Sequence, residues 1–360
     1  MSKMNIAVFF GSRSCEHDVS IVSALQCMEA TKAAGFEVTP VYISRDGLWY
    51  TGAPLENIET FREFNPMTKG ITRVTLDVTA NAGDLWAWPP QRAGLFAKVP
   101  APLCHIDCVI PVFHGWHGED GTIQGFLETV GIPYTGSGIL ASAQAVNKGK
   151  AKELYAAAGL NVAASAVIGK GDELDDEDLK EISAEIGIPC VVKPTTEGSS
   201  LGMTIVHEYD ELRGAIDLAL SVDEEAMIEA FIEGTELTVG VIGNDDPRAL
   251  PVIQIVPTED EFYNFHAKYA QGGSKHLCPA PLSAEATEAV QELAVAAHSV
   301  LGCRGISRSD VMMDADGACW LLETNTLPGM TGTSLVPDAA KVAGMSFPEL
   351  CEKIVALGLE

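Results

Sequence analysis

Short apolar runs and longer amphipathic ones alternate along the chain. Residues 5–10, apolar after Asn5, predict a short buried strand, and residues 11–18 are the polar turn that follows. Helical spacing of apolar positions over residues 19–34 predicts a helix stopped by Gly35, and residues 37–43 return to strand. Strand, helix and strand in that order open a parallel sheet. Residues 108–113 predict another buried strand, leading through His114-Gly-Trp-His-Gly-Glu-Asp-Gly121 into a helix around residues 124–130. Residues 138–158 predict one long helix carrying Lys148, Lys150 and Lys152, and residues 172–186 an acidic helix with a solvated face. Residues 188–194 predict a strand with Lys193 near its end, and residues 226–232, 236–242 and 249–256 predict antiparallel strands. A helix over residues 284–301 and two closing helices finish the chain, the last opening on the capping-box pattern Ser346-Phe-Pro-Glu349. Residues 45–104 show no legible pattern. Residues 257–279 are polar and aromatic without a period, and such a stretch inside a compact protein is expected to be a functional lid or disordered. The fold class expected is α/β.

The two runs 308–313 and 320–325 bracket Asp314-Ala-Asp316-Gly317, a turn that predicts a β-hairpin. In that ladder Asp310, Glu323 and Asn325 point to one face. Three hard oxygen donors with no thiol or imidazole suit Mg²⁺ or Mn²⁺ and not zinc. An ion held by so few protein ligands usually clamps nucleotide phosphates, whereas the plain alternative is a hairpin with solvated carboxylates. The glycine- and serine-rich stretch Glu197-Gly198-Ser199-Ser200-Leu201-Gly202 can wrap phosphate oxygens with N–H groups and hydroxyls. It is no Walker A sequence, and the turn after residue 10 lacks G-x-G-x-x-G, so no nicotinamide site is inferred. Cys104, His105, Cys108, His114 and His117 match no zinc spacing. His114 ends a strand, where open α/β sheets bind ligands, and is read as substrate-orienting. Its plain alternative is a satisfied structural imidazole.

Composition narrows the partners. Of 360 residues 47% are apolar, enough for two or three cores. Twenty-three basic residues against 50 acids leave a net charge of −27, which argues against a nucleic-acid or anionic-membrane partner. Nine scattered cysteines fit reduced thiols. No signal peptide or membrane span is legible, so a soluble cytoplasmic protein is expected.

Taken together, specific stretches resemble the D-alanine–D-alanine ligases of the ATP-grasp superfamily. They are Gly11 through Ser20, His114 through Gly125, Pro133-Tyr-Thr-Gly-Ser-Gly138, Val192-Lys193-Pro with Glu197-Gly-Ser-Ser, Glu233-Gly-Thr-Glu236-Leu-Thr-Val, Ala267-Lys268-Tyr269, and the hairpin with Leu327-Pro-Gly-Met-Thr331. The likeness runs from Asn5 to Ala356 and is weak only across residues 45–104. It implies an ATP-grasp fold of three parts: a substrate-binding domain (1–147), a central subdomain (148–233) and a catalytic subdomain (234–360). ATP lies between the last two.

It also implies roles. Lys148 and Lys193 contact phosphates, and residues 198–202, Ser200 among them, cover those phosphates. Glu236 binds the ribose, while Glu229 and the backbone leading to Phe231 and Ile232 face adenine. Asp310, Glu323 and Asn325 hold two Mg²⁺ (or Mn²⁺) ions. Glu16 takes the ammonium of the first D-alanine with His114 nearby. Ser334 and Lys268 meet the second carboxylate or the transferred phosphoryl group, and Arg308 with the Gly329 N–H stabilises the oxyanion. Tyr269 joins the lid to Ser199 and Glu16.

The resemblance further implies a homodimer that uses D-alanine and ATP for peptidoglycan precursors. Ser12, Cys15, Trp116-His117 and Phe265-His266 depart from the usual pattern and bear on lid and first-site fit. A sister ligase making D-alanyl-D-lactate or D-alanyl-D-serine is the close alternative. A non-catalytic nucleotide sensor is the remote one, since a sensor has no use for metal and oxyanion groups together.

Overall fold

The computed structural model describes residues 3–90, 99–198, 201–257 and 274–360. Three sheets follow one another along it. The first comprises β1 (Asn5–Gly11), β2 (Glu37–Ile43), β3 (Trp49–Thr51), β4 (Thr72–Leu76), β5 (Asp84–Ala87), β6 (Cys104–His105) and β7 (Cys108–Val112). Their spatial order is β6-β5-β4-β3-β2-β1-β7. β1 runs parallel to both β2 and β7 and is buried on both faces, which is why its run is apolar without alternation. Helix His17–Ala33 joins β1 to β2 and begins two residues earlier than the periodicity predicts.

The sequence was silent over residues 45–104, and there the structure adds β3 to β6 as antiparallel neighbours that widen the sheet. These strands have two to five residues each, too few for a period to declare itself.

The second sheet contains β8 (Ser165–Gly169), β9 (Cys190–Pro194), β10 (Thr204–Val206) and β11 (Glu225–Ala230), in the order β10-β9-β11-β8. The third contains β12 (Thr235–Ile242), β13 (Arg248–Ala249), β14 (Ile253–Pro257), β15 (Ser274–Leu277), β16 (Ile306–Met313) and β17 (Cys319–Asn325). Its order is β15-β14-β12-β16-β17, with β13 on β12.

Four expectations are corrected. The strands expected over 226–232 and 236–242 lie in different sheets. The chain crosses between them at Gly234, where an added Cβ would sit 2.1 Å from the Met313 carbonyl oxygen. The strand expected over 249–256 splits into β13 and β14 around Pro251, which has no N–H for the ladder. The single helix expected over 138–158 is two, Ile139–Val146 and Lys148–Ala157. Asn147 breaks it with extended backbone, and its side chain accepts the Lys150 N–H at 3.0 Å as a new cap. Finally, the stretch 257–279 is not loop throughout, because β15 pairs with β14. Residues 258–273 of that expected lid lie outside the described residues.

Helix Phe347–Leu359 opens with both bonds of the expected capping box between Ser346 and Glu349. It packs on helix His17–Ala33, and Leu350, Cys351 and Ile354 share one buried cluster with Val8, Phe10 and Ile110. Among the described residues no helix is long and apolar enough to cross a membrane.

His298, 1% exposed in helix Ala284–Val300, lies 2.7 Å from the Ser307 hydroxyl. Burial pushes its pKa from 6.5 down to about 4, against the opposing pull of nearby backbone. The unfolded chain therefore takes up this proton first. The stability that the neutral ring contributes is present above pH 6.5 and is lost as pH falls toward about 4. The loss is expected to reach about 3 kcal/mol. Urea unfolding at stepped pH should show it, and His298→Gln should flatten that acid slope. Parallel slopes for the two proteins would remove the assignment.

Candidate active site

A cavity of about 700 Å³ opens where the three sheets meet. Of the eighteen site residues expected from sequence, Ser199, Ser200, Lys268 and Tyr269 lie outside the described residues. The other fourteen all line this cavity: Glu16, His114, Lys148, Lys193, Glu229, Phe231, Ile232, Glu236, Arg308, Asp310, Glu323, Asn325, Gly329 and Ser334.

The corner contributed by the first sheet is built on the turns after β1 and β7. Glu16 stands at the start of helix His17–Ala33, and its N–H donates to the Ser14 hydroxyl at 3.2 Å. That hydroxyl donates in turn to the His114 carbonyl at 2.6 Å, so the two turns are tied together. Gly115 has φ +71°, and a Cβ there would lie 3.1 Å from a Glu16 carboxylate oxygen. The glycine thus admits the carboxylate into the corner. Ser12 and His117, two of the departures from the family pattern, both adopt left-handed backbone, with φ of 81° and 67°. Side chains are strained there, and each is held by contacts. The Ser12 N–H donates to the Ile43 carbonyl at 2.9 Å, and His117 Nε2 lies 3.3 Å from the Arg13 guanidinium.

His114 Nε2 sits 3.4 Å from Ser23 Oγ, and its Nδ1 sits 3.9 Å from Glu119 Oε1. Glu119 also accepts the Asn325 amide at 3.2 Å and so links the first corner to the hairpin. Sequence reasoning passed over Glu119. The available signal was an acid inside the His114 loop, but its partner is 206 positions away.

The cationic wall comes from the second sheet and the helix beside it. Lys148 begins helix Lys148–Ala157, where Asn147 also donates to Glu225 at 3.0 Å. Lys148 Nζ donates to the Glu197 carbonyl at 2.9 Å and lies 3.5 Å from Glu323 Oε2. Lys193 on β9 approaches Glu229 Oε2 at 2.6 Å, and Lys152 donates to Glu229 Oε1. Both carboxylate oxygens of Glu229 are therefore already engaged. Burial disfavours the charged form of Glu229, but the two lysines outweigh it and hold the pKa below the usual carboxylate value. Residues 230–232 carry the chain from β11 to β12 along the cavity wall, with the Phe231 N–H donating to the Pro189 carbonyl at 3.3 Å.

The anionic wall is the β16–β17 hairpin. Its register sets Asp310 directly opposite Glu323 and Arg308 opposite Asn325, and a bulge follows Asp310. The expected common face is therefore formed. Arg308 grips Asp310 with two atoms, Nε to Oδ1 at 2.9 Å and an Nη to Oδ2 at 2.8 Å. Thr238, opposite Asp310 on β12, donates its hydroxyl to Oδ1 at 2.5 Å. Sequence reasoning missed Thr238 because only the strand register reveals it. Asn325 Oδ1 accepts the Leu327 N–H at 2.8 Å, which folds the next loop back on the hairpin. In that loop an added Cβ at Gly329 would lie 2.9 Å from the Ser334 hydroxyl, which also sits 2.7 Å from Thr331 Oγ1.

Two facing carboxylates with an amide oxygen on the same face make a hard-donor set that fits a divalent cation. Three sheets enclosing a nucleotide-sized cleft, with lysines on one wall and acids on the other, define an ATP-grasp protein. Family models described as D-ala D-ala ligase N-terminus and D-ala D-ala ligase C-terminus match residues 5–137 and 154–356. The chain belongs to the D-alanine–D-alanine ligase family. A D-alanine–D-alanine ligase from Syntrophobacter fumaroxidans is 47% identical over 264 residues, 73% of this chain and 84% of its own. Another from Bacillus cytotoxicus is 35% identical across 100% of this chain and 97% of its own. The solved VanG D-Ala:D-Ser ligase from Enterococcus faecalis matches with a TM-score of 0.86 and 33% identity, covering 99% of this chain and 100% of its own.

Proposed function

We propose that the chain joins two D-alanines at the expense of ATP, through a D-alanyl phosphate, to supply peptidoglycan precursor. The observation that carries this reading is the meeting of three groups in one cavity. They are the Glu16–His114 corner, the Lys148–Lys193 wall, and the Asp310–Glu323–Asn325 hairpin face.

A carboxylate is a poor acyl donor and is first phosphorylated. Both reactants are anions, so the developing charge needs cations around it. Lys148 and Lys193 take phosphate oxygens as compact point charges, and residues 198–202, with Ser200, close over them. Glu236 takes the ribose, and the strand crossing at Phe231 and Ile232 faces adenine. Glu229 stands at that end as the acid shared by two lysines. Asp310, Glu323 and Asn325 would hold two Mg²⁺ (or Mn²⁺) ions, which would supply positive charge to the phosphoryl oxygens.

Glu16 takes the ammonium of the first D-alanine beside His114. Ser334 and Lys268 meet the second carboxylate or the transferred phosphoryl group. Arg308 and the Gly329 N–H receive the tetrahedral oxyanion. Water would hydrolyse the acyl phosphate, and residues 257–279 would serve as the cover, a role that the resemblance ties to Tyr269 with Ser199 and Glu16. In this reading residues 1–147, 148–233 and 234–360 are the substrate-binding, central and catalytic units of a cytoplasmic homodimer.

The attacking α-amine is protonated near neutrality and reacts only when deprotonated. With Tyr269 and Lys268 both present, D-alanine is expected as the favoured acceptor from about neutral pH upward, as amine deprotonation becomes easier, with D-lactate negligible. The likeness to a D-Ala:D-Ser ligase makes D-serine the second acceptor to test. ADP release with D-alanine alone or with equal D-serine or D-lactate, at pH 6 to 9 with products separated by mass, decides among them. Predominant D-alanyl-D-lactate at pH 8 overturns the acceptor assignment, and predominant D-alanyl-D-serine turns it to the sister activity.

A further inference from the structure

Lys152 belongs to neither wall of the cavity, yet it is among the most buried charged side chains described. It is 4% exposed, and its ammonium has two partners: the Ala163 carbonyl at 2.9 Å and Glu229 Oε1. Glu229, 3% exposed, gives its other oxygen to Lys193, which does line the cavity. One buried carboxylate is thus shared between a cation facing the ligand and a cation behind it.

We propose that Lys152 is a positioning residue for the nucleotide, acting through Glu229 to fix where the Lys193 ammonium stands. This rests on the ATP-binding role proposed above for Lys193. With Lys152 holding Oε1, Glu229 has a single oxygen for Lys193, which remains shared with whatever anion enters the cavity. With Lys152 gone, the whole negative charge of Glu229 falls on Lys193 and draws its ammonium back from the phosphates.

The charges agree with that division. Burial lowers the pKa of Lys152 against the attraction of Glu229. Burial also opposes the charge on Lys193, but there the attraction of Glu229 wins and the pKa is raised. Glu229 thus attracts both cations, and removing one leaves its whole charge to the other. Fold retention is expected, because deleting Lys152 leaves a balanced Glu229–Lys193 pair and no unpaired buried acid.

The test is a double-mutant cycle on the full chain with ATP and D-alanine. Lys152→Met should raise the KM for ATP about tenfold and leave the KM for the first D-alanine within about twofold. In the Glu229→Gln background there is no carboxylate to transmit the effect, and the same substitution should change the ATP KM less than about threefold. A loss that is equal in both backgrounds, or that falls alike on ATP and D-alanine, marks a merely structural lysine and overturns the proposal. Lys152→Arg keeps the cation and should recover most of the ATP affinity. Should Lys152→Met not fold, Lys152→Gln takes its place in the cycle, with the same outcomes. Wild-type ADP release is the control that separates the two readings. If the wild type releases no ADP, the ligase proposal fails. If the wild type is active and Lys152→Met is unchanged in ATP KM, only this inference fails.

Discussion

Glu323→Ala is expected to lower turnover at least about 1,000-fold, the effect of losing several kcal/mol of charge stabilisation at the phosphoryl group. The fold should survive. Glu323 faces Asp310 directly across the hairpin, two acids in register, so removing one relieves repulsion. Lys148, 3.5 Å from it, keeps the Glu197 carbonyl as a partner. Thermal unfolding and steady-state ADP release on the same preparations decide the matter. Turnover within a factor of a few of wild type, in a folded protein, would end the metal-ligand role for this carboxylate.

Arg308→Lys separates rate from binding. The guanidinium grips Asp310 through two atoms, and Arg308 also lines the cavity. Lysine retains the charge and loses the planar fork, so it cannot hold Asp310 in this way and still present a donor to the oxyanion. Loss of one oxyanion donor typically costs about 100-fold or more in kcat. A kcat reduced about 100-fold, with the ATP KM within about threefold of wild type, is the expected result. The reverse pattern, collapsed ATP affinity with kcat preserved at saturation, would make Arg308 a nucleotide anchor instead.

These residues were legible in the sequence because each sits at a boundary that the sequence marks. Asp310 and Glu323 lie on strands of eight and seven residues around an Asp–Gly turn, long enough for pattern and turn chemistry to agree. Lys193 ends an apolar strand, and Glu16 follows a glycine turn. What was not legible depends on pairing across distance. Thr238 meets Asp310 only through strand register. Lys152, four positions after Lys148 on a helix, reads as one more solvated cation until the packing of helix Lys148–Ala157 buries it. The break at Asn147 was hidden for a related reason. Flanking apolar spacing continues smoothly through it, and only the side-chain cap shows that two helices meet there. Strands β3 to β6 were invisible because their pairing, and not their own composition, makes them strands.

The packing of helix Phe347–Leu359 against helix His17–Ala33 carries a consequence for how the chain comes off the ribosome. Val8, Phe10 and Ile110 are made long before Leu350, Cys351 and Ile354, which share their buried cluster. Until those residues emerge, helix His17–Ala33 packs on the first sheet with that cluster incomplete. Completing it joins residues far apart in sequence, and such non-local contacts are slow to form. The nascent protein is thus expected to lean on holdase chaperones longer than the position of its first sheet suggests.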